Sequence, residues 1–354
     1  MPNGHASEEE QPPSAFDLRK HLRLLEERVR QSGKKRALVL THDNPDPDSL
    51  AAALGMKRLL DAHGMASTIA LGGIIGRAEN RAMVRELKIE LVPFERAPLD
   101  DFGAFVLCDS QPMTGNNSLP ADRRCDVVVD HHPLRATTPS DILWRDIRPE
   151  FGATATIVYD YLRTTGLPLD KNLATAFLYA LKSETRDLGR EAGAAERQAY
   201  VELMQLADLE QLYAITNPKV PREHFIALDR ALRSAVVWGE LLAINLGALD
   251  YPDLVAEVAD LMLPYEKARW VICVGQHNRS VFLSLRTDQE NVSAGALIRR
   301  VVGPRGAAGG HGMVAGGRMF AEVRDEESMK RVYDELVARV RDELKIAATP
   351  SPLL

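Results

Sequence analysis

Cysteine is scarce in this chain. The 354 residues hold three, at positions 108, 125 and 273, odd in number and without paired spacing. That excludes a disulfide framework or a zinc ribbon and fits reduced thiols in a cytoplasmic protein. An excess of positive charge is missing as well: 44 Lys and Arg against 50 Asp and Glu leave a formal charge of −6. Proteins that coat long nucleic acid carry a basic surface, so no long duplex partner is expected; a short or small substrate in a local basic pocket fits better. No apolar run approaches membrane-spanning length, and residues 1–13 contain no basic segment followed by an apolar one, so no membrane partner is expected. What the chain does have is length and a hydrophobic fraction of 45%, enough for two ordinary cores.

The rest is organised around Thr41 to Ser49, which reads T-H-D-N-P-D-P-D-S. The apolar run Ala37 to Leu40 enters it and Leu50 to Leu60 leaves it with helical spacing, so it is read as the turn between a buried strand and a helix. His42, Asp46 and Asp48 crowd an imidazole and two carboxylates together, while Pro45 and Pro47 fix φ and are expected to keep either acid out of regular structure. Two more apolar runs stop at acids: Ala104 to Cys108 at Asp109, and Val127 to Val129 at Asp130, followed by His131 and His132. In a doubly wound sheet these ends converge on one edge, where ligands bind. Converging carboxylates repel one another unless divalent cations neutralise them.

Together, H-D-N-P-D-P-D at His42 to Asp48, the strand-ending Asp109, D-H-H-P at Asp130 to Pro133 and G-G-H-G-M-V-A-G-G at Gly309 to Gly317 resemble, in order, the signatures of the DHH/DHHA1 phosphoesterases. That superfamily includes RecJ-like exonucleases, oligoribonucleases of the nanoRNase type that also act on 3'-phosphoadenosine 5'-phosphate, and cyclic dinucleotide phosphodiesterases. The resemblance spans Arg36 to Arg318. It implies an α/β fold: an N-terminal doubly wound, mainly parallel sheet, then a smaller α/β DHHA1 domain with a mixed sheet. The expected boundaries are a disordered leader at 1–13, a catalytic domain at 14–215, a linker at 216–237, a substrate-binding domain at 238–346 and a loose tail at 347–354. The resemblance also implies that His42, Asp46 and Asp109 hold one metal and Asp48, Asp109, His131 and Glu184 a second, with Asp109 shared. The family places an aspartate where this chain has Glu184; Asp187 is the alternative. Mixed carboxylate and imidazole ligation suits two Mn²⁺, with Mg²⁺, Fe²⁺ or Co²⁺ also accommodated. His132 is expected to serve the leaving oxygen and Asp130 to orient a histidine, while Arg286, Gly310 and His311 grip the substrate.

Two loops stay open. G-G-I-I-G-R-A-E-N-R from Gly72 reads equally as a phosphate loop or as a turn with solvated arginines, and S-Q-P-M-T-G-N-N-S-L-P after Asp109 departs from the usual family wording. Ala194 to Ala214 is read as one helix, and His21 as a surface residue. The expected activity is two-metal hydrolysis of phosphoesters in short oligonucleotides or small nucleotides. A polyphosphate or pyrophosphate hydrolase and a non-catalytic nucleotide-binding regulator are the alternatives, and a homodimer is compatible with either.

Overall fold

The computed structural model describes residues 15–290 and 292–354, so the leader expected at 1–13 lies outside the described residues. The chain divides into two compact units between Pro218 and Lys219. In the first, α1 (Ala15–Gln31) precedes β1 (Arg36–Leu40), α2 (Pro47–Ala62), β2 (Ala66–Leu71), α3 (Ala78–Glu86), β3 (Val92–Pro93), β4 (Ala104–Cys108), β5 (Val127–Asp130), β6 (Trp144–Ile147), α4 (Thr154–Thr165), α5 (Lys171–Glu184), α6 (Ala194–Leu206) and α7 (Leu209–Thr216). The strands form one parallel sheet in the order β3-β2-β1-β4-β5-β6. Alternation along β1 sends Ala37 and Val39 toward a core built with α1, α2, α4 and α5. Leu38 and Leu40 point the other way, under Phe94, Leu99, Phe102 and Leu119 from the connections. The order reverses between β1 and β4, so a crevice opens beyond their carboxyl ends, between the turn after Leu40 and Asp109.

Several expectations are corrected here. Pro47 does not keep acid out of the helix: it occupies the first turn of α2, where its missing N–H costs nothing, so Asp46 becomes the N-cap and Asp48 a helical residue. The stretch Ala194 to Ala214 is two helices, because the Asp208 carboxylate accepts from the amides of Glu210 and Gln211 and starts a new one. His21 is half-buried and stacks on Trp144 at 5.6 Å.

The second unit runs α8 (Arg222–Ser234), β7 (Val236–Trp238), β8 (Leu241–Ala248), α9 (Leu254–Met262), β9 (Trp270–His277), β10 (Ser280–Thr287), α10 (Ala294–Val302), β11 (Gly306–His311), β12 (Val314–Phe320), α11 (Glu326–Leu344) and β13 (Ser351–Pro352). Its sheet has the order β11-β12-β10-β9-β8-β7-β13, with β8 and β9 parallel and the other pairs antiparallel. The stretch expected to be a linker therefore contains a helix whose Ala227 and Ala231 enter a core with β8 and α9. Nor is the tail loose, for Ser351 and Pro352 pair with Val237 and Val236.

The glycine-rich run is a hairpin and not an open loop. Gly310 lies in the β11–β12 ladder opposite Ala315, and a Cβ there would meet the Val314 carbonyl oxygen at 2.2 Å. Glycine at that position is thus demanded by close backbone approach.

Candidate metal centre

The crevice gathers its acids from elements far apart in sequence. Asp109 follows β4 in a left-handed conformation, φ 58°, and is buried. That turn splits its carboxylate between two sides: Oδ2 lies 3.7 Å from His42 Nε2, and Oδ1 lies 3.7 Å from His131 Nε2 and 3.5 Å from His132 Nδ1. Two sets of potential ligand atoms therefore share Asp109, one with His42 and Asp46 and one with His131 and His132. His42 Nε2 is also 3.6 Å from Asp46 Oδ1.

The imidazoles are turned for ligation. His42 Nδ1 donates to the Asp43 carbonyl at 2.9 Å and His131 Nδ1 to the Phe151 carbonyl at 3.2 Å, which leaves each Nε2 facing Asp109. Asp48 caps the N-terminus of α4, its two oxygens accepting from the amides of Thr154 at 2.8 Å and Ala155 at 2.7 Å, and Oδ2 lies 3.9 Å from His131 Nε2. Burial and the charges of Asp109, Asp46 and Glu184 push its pKa well above the usual carboxylate range. Burial raises Glu184 too, and the nearby charge of Asp46 adds to this. Such carboxylates await positive charge, and the oxygen and imidazole donor set fits hard or borderline divalent ions.

Of the two acids left open by the sequence, Glu184 ends α5 within the electrostatic reach of Asp46 and Asp109, with Arg190 at 3.5 Å. Asp187 turns elsewhere. It pairs with Lys182 and accepts from Tyr200 Oη at 3.2 Å.

His132 is held differently from its neighbour. Its Nδ1 donates to Asp130 Oδ1 at 2.9 Å, and Asp130 Oδ2 accepts from Gln111 Nε2 at 2.7 Å. Burial opposes protonation of His132, yet the hydrogen bonds to Asp109 and Asp130 push its pKa up to about 11. Burial likewise opposes protonation of His42, and the charge of Asp46 overcomes it to give about 9.

Two contributors were not legible in the sequence. Gln111 is buried in the loop of unusual wording, and its Oε1 accepts from the Arg135 amide at 2.8 Å and Thr138 Oγ1 at 2.7 Å, tying the D-H-H-P loop to β4. Thr154 Oγ1 donates to Asp109 Oδ1 at 2.8 Å and accepts from the His131 amide at 3.2 Å. A Thr beginning an apolar helix was the only local hint of the second. The loop from Gly72 contributes structure: Asn80 is buried and donates to the Pro45 carbonyl at 3.3 Å.

The expected substrate grips fare otherwise. Arg286 is buried, with Nε 2.5 Å from Asp260 Oδ1 and Nη1 donating to Ser284 Oγ at 2.7 Å, because its place on β10 lies under α9, which supplies the counter-charge. Within the second unit its charge is met by Asp260. His311 ends β11, and its side chain lies outside the described residues.

Comparison with known proteins bears on this arrangement. A family model described as DHH family, N-terminal domain, matches residues 36–181. An uncharacterized protein of Methanocaldococcus jannaschii is 30% identical over 317 residues, covering 88% of this chain and 64% of its own. A probable manganese-dependent inorganic pyrophosphatase of Bacillus licheniformis is 26% identical over 151 residues, 42% of this chain and 48% of its own. The chain thus spans less than two thirds of either relative. Among solved structures, an exopolyphosphatase-related protein from Bacteroides fragilis matches with a TM-score of 0.72 at 13% identity, over 92% of this chain and 98% of its own. RecJ from Thermus thermophilus, solved with Mn²⁺, matches at 0.51 and 15% identity, over 94% of this chain and 55% of its own. At such identities the likeness is one of fold. No helix among the described residues is long and apolar enough to cross a membrane.

Proposed function

We propose that the chain is a two-metal hydrolase of the DHH phosphoesterase type, acting on phosphoester bonds in short oligonucleotides or small nucleotides, a reading supported by the DHH-family match over residues 36–181. The observation that carries the proposal is the split Asp109 carboxylate, whose two oxygens face His42 on one side and His131 on the other. His42, Asp46 and Asp109 would hold one ion, and Asp48, Asp109, His131 and Glu184 the other. When bound, divalent ions here, Mn²⁺ above all, would supply activated water and neutralise charge at phosphorus. The chain's own residues do the rest. Asp130, fastened by Gln111, keeps His132 Nδ1 protonated and its ring fixed beside Asp109, so that His132 can hold a proton for the leaving oxygen. Thr154 and the first amides of α4 keep Asp109 and Asp48 from turning away.

The pyrophosphatase relatives favour a second reading, hydrolysis of pyrophosphate or polyphosphate by the same centre. The test is to strip the protein with chelator, add back Mn²⁺, and follow products from di- to pentanucleotides, 3'-phosphoadenosine 5'-phosphate, cyclic dinucleotides, pyrophosphate and polyphosphate. Mn²⁺-dependent cleavage of a nucleotide at the highest kcat/KM supports the proposal. Faster cleavage of an inorganic substrate selects the second reading, and turnover of none, or full turnover in excess chelator, rejects both.

A further inference from the structure

The second unit carries an aromatic and cationic surface that the catalytic reading does not use. Along β12, Ala315 and Met319 enter the core while Gly316, Arg318 and Phe320 face outward. Arg318 lies opposite Phe282 of β10 on the same face. Its guanidinium carbon is 5.7 Å from the Phe282 ring centroid and 5.2 Å from that of Phe320, and its Nε donates to Ser280 Oγ at 3.0 Å. The guanidinium is therefore already fixed between two rings, with little rotamer freedom left to lose on binding. Phe320, by contrast, is 69% exposed. Farther along the strip Gly309 faces Gly316 in the ladder, and a Cβ added at Gly309 would meet nothing within 4 Å, so the floor there is bare and flat.

We infer that Phe320 and Arg318 form a stacking platform for one unpaired nucleobase of a short single strand. The inference rests on the nucleotide reading above and deepens it. An exposed ring on a sheet beside a fixed guanidinium presents a flat π surface with positive charge, which is what a base on a phosphodiester chain complements. Arg279, exposed at the β9–β10 turn, adds charge of the same sign, and the nearby Glu322 is paired with Arg324 at 2.8 Å. Polyphosphate would satisfy the charge but has no face to stack; an apolar peptide would satisfy the ring alone.

The experiment is a binding measurement on the whole chain in excess chelator, by fluorescence anisotropy, with a labelled pentanucleotide and with an abasic pentamer of equal charge. Wild type should bind the base-bearing strand more tightly. Phe320→Ala and Phe320→Leu should each weaken it by about tenfold or more, the scale of one stacked base, and leave the abasic strand unchanged. Phe320→Trp should preserve the difference, and Arg318→Ala should weaken both strands. Equal affinity of wild type for the two strands overturns the platform, as does wild-type binding by Phe320→Leu, which keeps apolar bulk without the π face. Mn²⁺-dependent hydrolysis of bis-p-nitrophenyl phosphate, measured on the same preparations, reports the catalytic reading separately. Loss of that hydrolysis with the base preference intact counts against the metal centre and not the platform.

Discussion

Two of the places where the first unit buries charge resolve it in opposite ways. Around Asp146 the protein supplies its own cation: Arg148 donates at 2.8 and 2.7 Å, and Tyr161 adds its hydroxyl. Around Asp109, Asp46, Asp48 and Glu184 the neighbours are mainly imidazoles, with a single guanidinium 3.5 Å from Glu184. The first cluster is electrically complete, and in the second burial, reinforced by neighbouring carboxylates, raises Asp48 and Glu184 above the usual carboxylate range. A buried acid with its arginine is architecture. Several buried acids converging on two imidazoles are a place a divalent cation would fit.

The largest effect should come from removing the centre of each cluster. Asp109→Ala should abolish turnover while the protein still folds, because the loss of its repulsion with Asp48 offsets the loss of its contacts to Thr154 and the histidines. Arg148→Ala should instead destabilise by about 3–5 kcal/mol, because it strands a buried carboxylate. Denaturant titration and Mn²⁺-dependent turnover of both variants test the contrast. A fall of less than about tenfold in kcat for Asp109→Ala, roughly 1.4 kcal/mol, rejects Asp109 as the shared ligand.

A smaller effect separates Glu184 from Asp187. Glu184→Ala should weaken one class of Mn²⁺ site by at least about tenfold in calorimetric titration, the scale on which even supporting groups act at metal centres. Asp187→Ala, which removes an exposed pairing with Lys182, should leave both classes intact. The reverse pattern would transfer the ligand role to Asp187.

The smallest effect is on pH dependence. In the metal-free protein His42 and His132 have folded-state values of about 9 and about 11, above the unfolded value of about 6.5. Their stabilisation is complete below about pH 6.5 and is lost as pH rises through 9 and then 11. The raised carboxyls of Asp48 and Glu184 act in the same direction, being stabilising below about pH 4 and losing that contribution as pH climbs through their folded values. Mn²⁺ held by His42 would have to displace its proton, so its affinity should rise over the same range. Urea midpoints between pH 6.5 and 9 should therefore fall in chelator and fall less in Mn²⁺. A midpoint in chelator that rises with pH would contradict the assignment of these charges.

Much of this was legible because it is local. Apolar runs of four or five residues that end in acid are strands feeding a sheet edge, and the run Ala104 to Cys108 ends at Asp109 as read. Hydrophobic spacing likewise marked α1, α5 and α11. Glycines were ambiguous, since the same residue serves an open anion loop and a tight hairpin; only the opposing strand showed that Gly310 is the second.

By itself, then, the sequence determined most of the elements and the resemblance to a family, because periodicity and motif spacing act over a few residues. Tertiary structure alone decided which polar groups complete one another. Gln111 reaches Asp130 across 19 residues, Asp48 meets the amides of α4 across 106, and Arg286 is claimed by Asp260 of another element. Each such partnership depends on which face of a strand a residue occupies and on what packs against that face, and burial then makes pairing obligatory.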